Sequence, residues 1–231
     1  MADNKAGFWP GLKSRYRPQF SEKKYVWSLI LAFALLVASL VINYFAAMYA
    51  VERASNPVAD IILSNIPTFD VDWAFVYGPI IFWVIISLYL VYDPKRIPFT
   101  IKSIALFIVI RSAFITLTHI GPFPDHISLD VAGMDLFGRL TRGDLFFVFS
   151  AGADLFFSGH TGFPFLLALI FWNDKTMRWF CLVSSVFFGI VVLLGHLHYS
   201  IDVASAFFIT YTIYHIAIKA FPTDKNRLLT A

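Results

Sequence analysis

The chain has 231 residues, 58% of them hydrophobic and only 14% charged, with a mean hydropathy of +0.71. Soluble domains carry nearer a quarter of charged residues, so this composition excludes an ordinary soluble fold and points to the bilayer. A net charge of +3 is too small to suggest nucleic acid as a partner, and a single cysteine, Cys181, excludes an intramolecular disulfide and reads as a buried thiol in an apolar run.

Residues 1–24 hold six basic side chains and read as a cytoplasmic N-terminal segment. The apolar run that follows is too long for a signal-peptide core and reads as a first membrane span. A spanning helix needs ~20 apolar residues. On that measure spans are predicted at 25–49, 73–92, 98–118, 158–173, 177–196 and 200–220. The expectation is an all-α, six-span bundle in one membrane domain, 25–220, followed by a cytoplasmic tail, 221–231. The two long connections, 50–72 and 119–157, are rich in Pro, Gly, Asp and Asn, and each has room for a short amphipathic interfacial helix. No internal repeat or low-complexity tract interrupts the pattern.

Orientation follows from Lys and Arg near the span ends. Fourteen of the eighteen fall on one side: Lys5, Lys13, Arg15, Arg17, Lys23, Lys24, Lys95, Arg96, Lys102, Lys175, Arg178, Lys219, Lys225 and Arg227. Arg53, Arg139 and Arg142 fall on the other, and Arg111 lies within the third span. Both termini are therefore expected in the cytoplasm, with the long loops on the non-cytoplasmic face.

That topology brings two short stretches to the outer face, "SGHTGF" at 158–163 and "GHLHYSID" at 195–202. His198 and Asp202 are four residues apart, so the start of a sixth helix puts carboxylate and imidazole on one side. An Asp that accepts the proton of one ring nitrogen leaves the other as nucleophile or base. His160 comes from a different helix and is placed to serve as the complementary acid. Ser158 and Gly159 begin their helix with small residues, which lets backbone N–H groups approach an anion such as phosphate. Arg111 lies about 10 Å inside the third span, where a cation faces the bundle and pairs with phosphate or carboxylate.

Each residue alone also has a plainer reading. Asp202 can cap a helix, His196 and His198 can meet headgroups at the interface, and Ser158–Gly159 can serve close helix packing. Arg111 can snorkel outward. His196, His198 and Asp202 could also hold a metal, although their spacing is a weak signal for one. His119, His126 and His215 read as structural or solvated. It is the coincidence on one face that favours chemistry.

With these residues placed, the chain resembles the sphingomyelin synthase family, the lipid phosphotransferase branch of the type 2 phosphatidic acid phosphatase superfamily. The resemblance covers about 55–220. It rests on "NPVADIILSNIPTFDVDWAF" (56–75), "IRSAFITLTHIGPFPD" (110–125) and, most specifically, "GADLFFSGHTGF" (152–163) and "GHLHYSIDV" (195–203). It implies a triad of His160, His198 and Asp202. In that mechanism His198, oriented by Asp202, attacks the phosphorus of a glycerophospholipid, and His160 protonates the departing diacylglycerol oxygen. The headgroup phosphate then passes to ceramide or a similar lipid alcohol, with Arg111 stabilising phosphoryl charge. No cofactor or metal is expected, the implied partners are membrane lipids (a phospholipid donor and a ceramide or diacylglycerol-type acceptor), and homo-oligomers are left open.

Two departures from the family pattern bear on substrate choice. Val191 and Val192 stand where the wider superfamily carries Ser-Arg, and Leu197 replaces an acidic residue between the paired histidines. A cationic headgroup is then expected to meet Asp60, Asp154, Trp73 or Tyr199 instead, with Ser158, Gly159 and His196 completing the substrate contacts. The same triad with water as acceptor makes a phospholipase C-like enzyme or lipid phosphate phosphatase, and a third reading is a lipid-binding bundle without catalysis.

Overall fold

Apolar runs of this length can satisfy their backbone amides in lipid only as helices or closed barrels, and the chain takes the helical course. A computed structural model describes residues 8–125 and 156–229, and every regular element among them is helical. In chain order these are α1 (Phe8–Ser21), α2 (Lys23–Glu52), α3 (Asp72–Tyr92), α4 (Ile97–Leu117), α5 (Gly159–Ile170), α6 (Lys175–Leu194), α7 (Ser200–Ala220) and α8 (Pro222–Leu229), with 3-10 turns at Leu63–Asn65 and Pro94–Arg96.

Five of these elements are long and apolar enough to cross a membrane: α2, α3, α4 with its preceding turn, α6 and α7. Their limits follow local chemistry. Asp93 precedes Pro94, a setting that disfavours continued helix and ends α3. Pro98 sits in the first turn of α4, where its missing N–H costs nothing. Asp174 caps α6 by accepting from the Met177 N–H at 3.0 Å.

The fourth span, at 158–173 already the shortest expected, is shorter still. α5 has 12 residues, about 18 Å of helix against a hydrocarbon core of about 30 Å. The apolar run continues into Trp172, but the chain turns at Phe171–Asn173 so that Asp174 can start α6. α5 tolerates this length because protein surrounds it: Leu166, Leu167 and Ala168 are fully buried between α6, α7 and α4. The 50–72 connection, which had room for an interfacial helix, forms one 3-10 turn, and 126–155, most of the other such connection, lies outside the described residues.

α4 is the central helix, the most buried of the candidate spans. α2 packs along it through small residues, Ala32, Ser39, Ala46, Ala47 and Ala50, which let the two backbones approach closely. Phe82, Phe107, Phe157, Phe171 and Phe188 fill the space between α3, α4, α5 and α6, and Cys181 is buried against them. Large apolar side chains such as Leu88, Val183, Ile190 and Phe208 point outward, as a lipid-facing surface requires.

The two ends of the bundle differ. At one, α1, the Pro94–Arg96 turn and α8 converge, and a buried pair joins Lys102 to Asp224 at 2.6 Å, with Ser28 bonded to both. The described N- and C-terminal segments meet there through Arg227 and Glu22. At the other end, the described residues after α2 and α4 pack on the α6–α7 turn: Phe69 N–H donates to the Leu194 carbonyl, Thr68 meets His196, and the Gly121 carbonyl accepts from Tyr199.

Candidate active site

α7 begins with Tyr199 as its cap, and the Asp202 carboxylate reaches back to accept the Tyr199 N–H at 2.9 Å. This is half of a capping box, and it fixes the carboxylate beside the residue that precedes the helix. The same oxygen, Oδ2, lies 3.4 Å from Nδ1 of His198. A proton on Nδ1 directed at this carboxylate leaves Nε2 of His198 as the lone-pair nitrogen. Asp202 is 0% and His198 6% exposed, and Oδ1 of Asp202 has no hydrogen-bond partner among the described residues.

The start of α5 is brought against this pair by the backbone. The Ser158 N–H donates to the Asp202 carbonyl at 3.1 Å, while the Ser158 hydroxyl caps α5 by accepting from Thr161 N–H at 3.4 Å. His160, two residues on, lies within electrostatic reach of His198 and Arg111. Its ring stacks on Phe75 of α3, with centroids 4.4 Å apart and planes inclined by 27°, and meets Phe188 of α6 edge-on at 6.4 Å. Arg111 is buried, as its depth in the sequence suggested. Its Nε donates to the Phe157 carbonyl at 2.8 Å, and a side chain added to Gly159 would begin 3.5 Å from that nitrogen.

Three further expected residues are placed nearby. His196 adopts a left-handed backbone conformation, φ 51°, which non-glycine residues visit rarely. Its Nδ1 is 3.1 Å from the Thr68 hydroxyl oxygen, and that hydroxyl donates to the Asp125 carbonyl at 3.1 Å. The Thr68 oxygen therefore accepts from His196, which assigns the proton to Nδ1 and leaves Nε2 an acceptor with no partner among the described residues.

Asp60 and Tyr199 have a different task from the headgroup contact expected of them. The Asp60 carboxylate accepts from Ile62 N–H at 2.9 Å, Leu63 N–H at 3.1 Å and Ser200 N–H at 2.7 Å. Burial acts to raise its pKa, but the Ser200, Leu63 and Ile62 donors outweigh it and hold the carboxyl below the usual value. Tyr199 is 1% exposed; its hydroxyl accepts from Val58 N–H at 3.2 Å and donates to the Gly121 carbonyl at 2.8 Å. Its ring face is thus buried with Phe123 and Leu63, not offered to a ligand. Asp154 lies outside the described residues, and Trp73 is exposed.

The structure thus gathers His160, His198, Asp202, Arg111, Ser158 and Gly159 from α4, the start of α5, the α6–α7 turn and the first turn of α7, with Asp60, Tyr199 and His196 bolting loops around them. Among the described residues no three His, Cys, Asp or Glu side chains form a group able to hold a metal. Sequence reasoning missed Phe75, Phe188 and Thr68, because one Phe among 26 carries no signal of its partner.

A multi-pass helical bundle with a buried polar site at the start of its shortest core helix is the class of protein that this geometry defines. Residues 152–219 match the family described as PAP2 superfamily C-terminal. The match runs from the start of the first motif through almost all of α7, contains His160, His198 and Asp202, and supports the type 2 phosphatidic acid phosphatase superfamily and its lipid phosphate chemistry. No curated protein and no solved structure matches the chain.

Proposed function

We propose that the chain is an integral membrane phosphotransferase. It moves a phosphoalcohol headgroup, phosphocholine or phosphoethanolamine, from a glycerophospholipid to ceramide or a similar lipid alcohol, on the sphingomyelin synthase pattern. The observation that carries this reading is the junction of the two motifs: Ser158 N–H on the Asp202 carbonyl, with the Asp202 carboxylate on His198.

In the first half-reaction Nε2 of His198 attacks phosphorus, the P–O bond to diacylglycerol breaks, and protonated His160 gives its proton to the departing oxygen. Asp202 stabilises the charge that His198 acquires. In the second, neutral His160 takes the proton of the acceptor hydroxyl as that oxygen attacks phosphorus, and His198 is released. Charge grows on the phosphoryl oxygens in both steps, and Arg111 with the N–H groups at the start of α5 answers it. By the distribution of Lys and Arg, this site faces away from the cytoplasm.

The family match favours a second reading, hydrolysis with water as acceptor. The two readings use the same residues and differ in whether water or a lipid hydroxyl reaches phosphorus. Purified protein given labelled phosphatidylcholine or phosphatidylethanolamine, with and without ceramide, separates the two. Headgroup on ceramide is the expected product; free phosphoalcohol or phosphate alone would assign the hydrolase. His198→Ala and Asp202→Asn should each lower turnover by about 10³-fold or more. The Asn variant keeps an oxygen for the Tyr199 N–H, so its loss isolates the carboxylate charge from the helix cap. Wild-type turnover in either variant removes the triad.

A further inference from the structure

His198 is oriented by a carboxylate, but His160 has no such partner: among the described residues no hydrogen bond is made to either of its ring nitrogens. Its contacts are aromatic. Phe75 lies under the face of the imidazole at 4.4 Å and 27°, and the edge of the ring meets Phe188 at 6.4 Å and 74°. Face contact fixes the plane of an imidazole while leaving both nitrogens at the rim, the part that must reach a substrate oxygen.

α3 supplies Phe75 and, at Gly78, the space that Phe188 of α6 occupies. Phe75 and Gly78 are three residues apart and share a face of the helix. A Cβ built on Gly78 would lie 2.6 Å from Cε1 of Phe188, so Phe188 can stand where it does only because residue 78 has no side chain. Phe188 in turn packs edge-on against Phe82, one further turn along α3. α3 lies wholly outside the segment matched by the family, so this part of the site belongs to the N-terminal half of the chain.

We propose that Phe75 is a positioning residue for His160. Its ring holds the imidazole plane by stacking, the counterpart for one histidine of what Asp202 does for the other. The inference rests on the acid–base role of His160 proposed above. It also explains how His160 can change protonation state twice per cycle without breaking a hydrogen bond, since a phenyl face accepts either form.

The test uses Phe75→Leu and Phe75→Tyr in the full chain. In the headgroup-transfer assay Phe75→Leu is expected to lower kcat roughly 10- to 100-fold with little change in KM, because the acid is misaimed while the lipid still binds. Phe75→Tyr, which keeps the ring, should recover most of that loss. Independently of turnover, the His160 ring protons, assigned by NMR with His160→Gln, should be shielded in the wild type, move downfield in Phe75→Leu and stay in place in Phe75→Tyr. Wild-type kcat in Phe75→Leu, loss expressed only in KM, or unmoved His160 resonances would each overturn the proposal. Should the protein transfer and hydrolyse no lipid, the proposed function fails while the NMR arm still decides whether Phe75 orients the ring.

Discussion

Asp60 is a buried carboxylate whose three backbone N–H donors come from Ile62 and Leu63 after α2 and from Ser200 at the start of α7, about 140 residues away. Because those donors hold its pKa below the ordinary value, the stability it contributes is complete above the unfolded pKa of about 4 and is lost as pH falls through the lower, folded value. Thermal unfolding of the wild type should therefore weaken toward the acid end of that range, and Asp60→Asn should weaken less over the same interval. At neutral pH the same variant should lose about 1–3 kcal/mol, since an amide cannot accept from all three donors. Equal acid sensitivity in both proteins would remove Asp60 as the responsible group. The contrast with Asp202 shows what a residue discloses in sequence: its pairing with His198 is local, four positions along a helix start, and was legible. The partners of Asp60, Tyr199 and His160 come from distant segments, and only tertiary register reveals them.

At the scale of elements, hydropathy located the spanning helices to within a few residues, because lipid leaves the backbone little alternative. It overestimated α5, since hydropathy does not register that Asp174 is needed as a cap for the next helix. The loops were least legible. Gly121 shows why: its backbone runs so close to the 55–56 segment that an added Cβ would collide with the Ser55 carbonyl oxygen, and its own carbonyl accepts from Tyr199. Gly121→Ala must push two backbones apart, with no flexible side chain able to yield. The expected cost is about 1–3 kcal/mol in thermal stability, together with weakened lipid turnover, because the same contact steadies the turn that carries His198. Unchanged melting and turnover would show that the two loops move independently.

Across the whole molecule, the end opposite the site is closed by a buried ion pair. Lys102 and Asp224 bond at 2.6 Å, Ser28 joins both, and α2, α4 and α8 are tied together. Removing one partner leaves an uncompensated buried charge, so Lys102→Met should cost about 3–5 kcal/mol, whereas Lys102→Met with Asp224→Leu should recover most of it. Melting temperatures of the two single variants and the double one measure the coupling; additive losses would deny it. The charge pattern that assigned both termini to one side is consistent with this closure, because the terminal segments do meet at one end of the bundle.

The half-length α5 has a geometric corollary. It covers about 18 Å, whereas α6 and α7, which meet at the turn carrying His196 and His198, each cover about 30 Å. Ser158 is tied to the Asp202 carbonyl in the first turn of α7, so α5 starts level with those full-length helices and stops well short of their other ends. On the proposed reading the histidines then meet a phospholipid at the level where it carries its phosphate, and a bilayer much thicker than about 30 Å would draw that phosphate away from them.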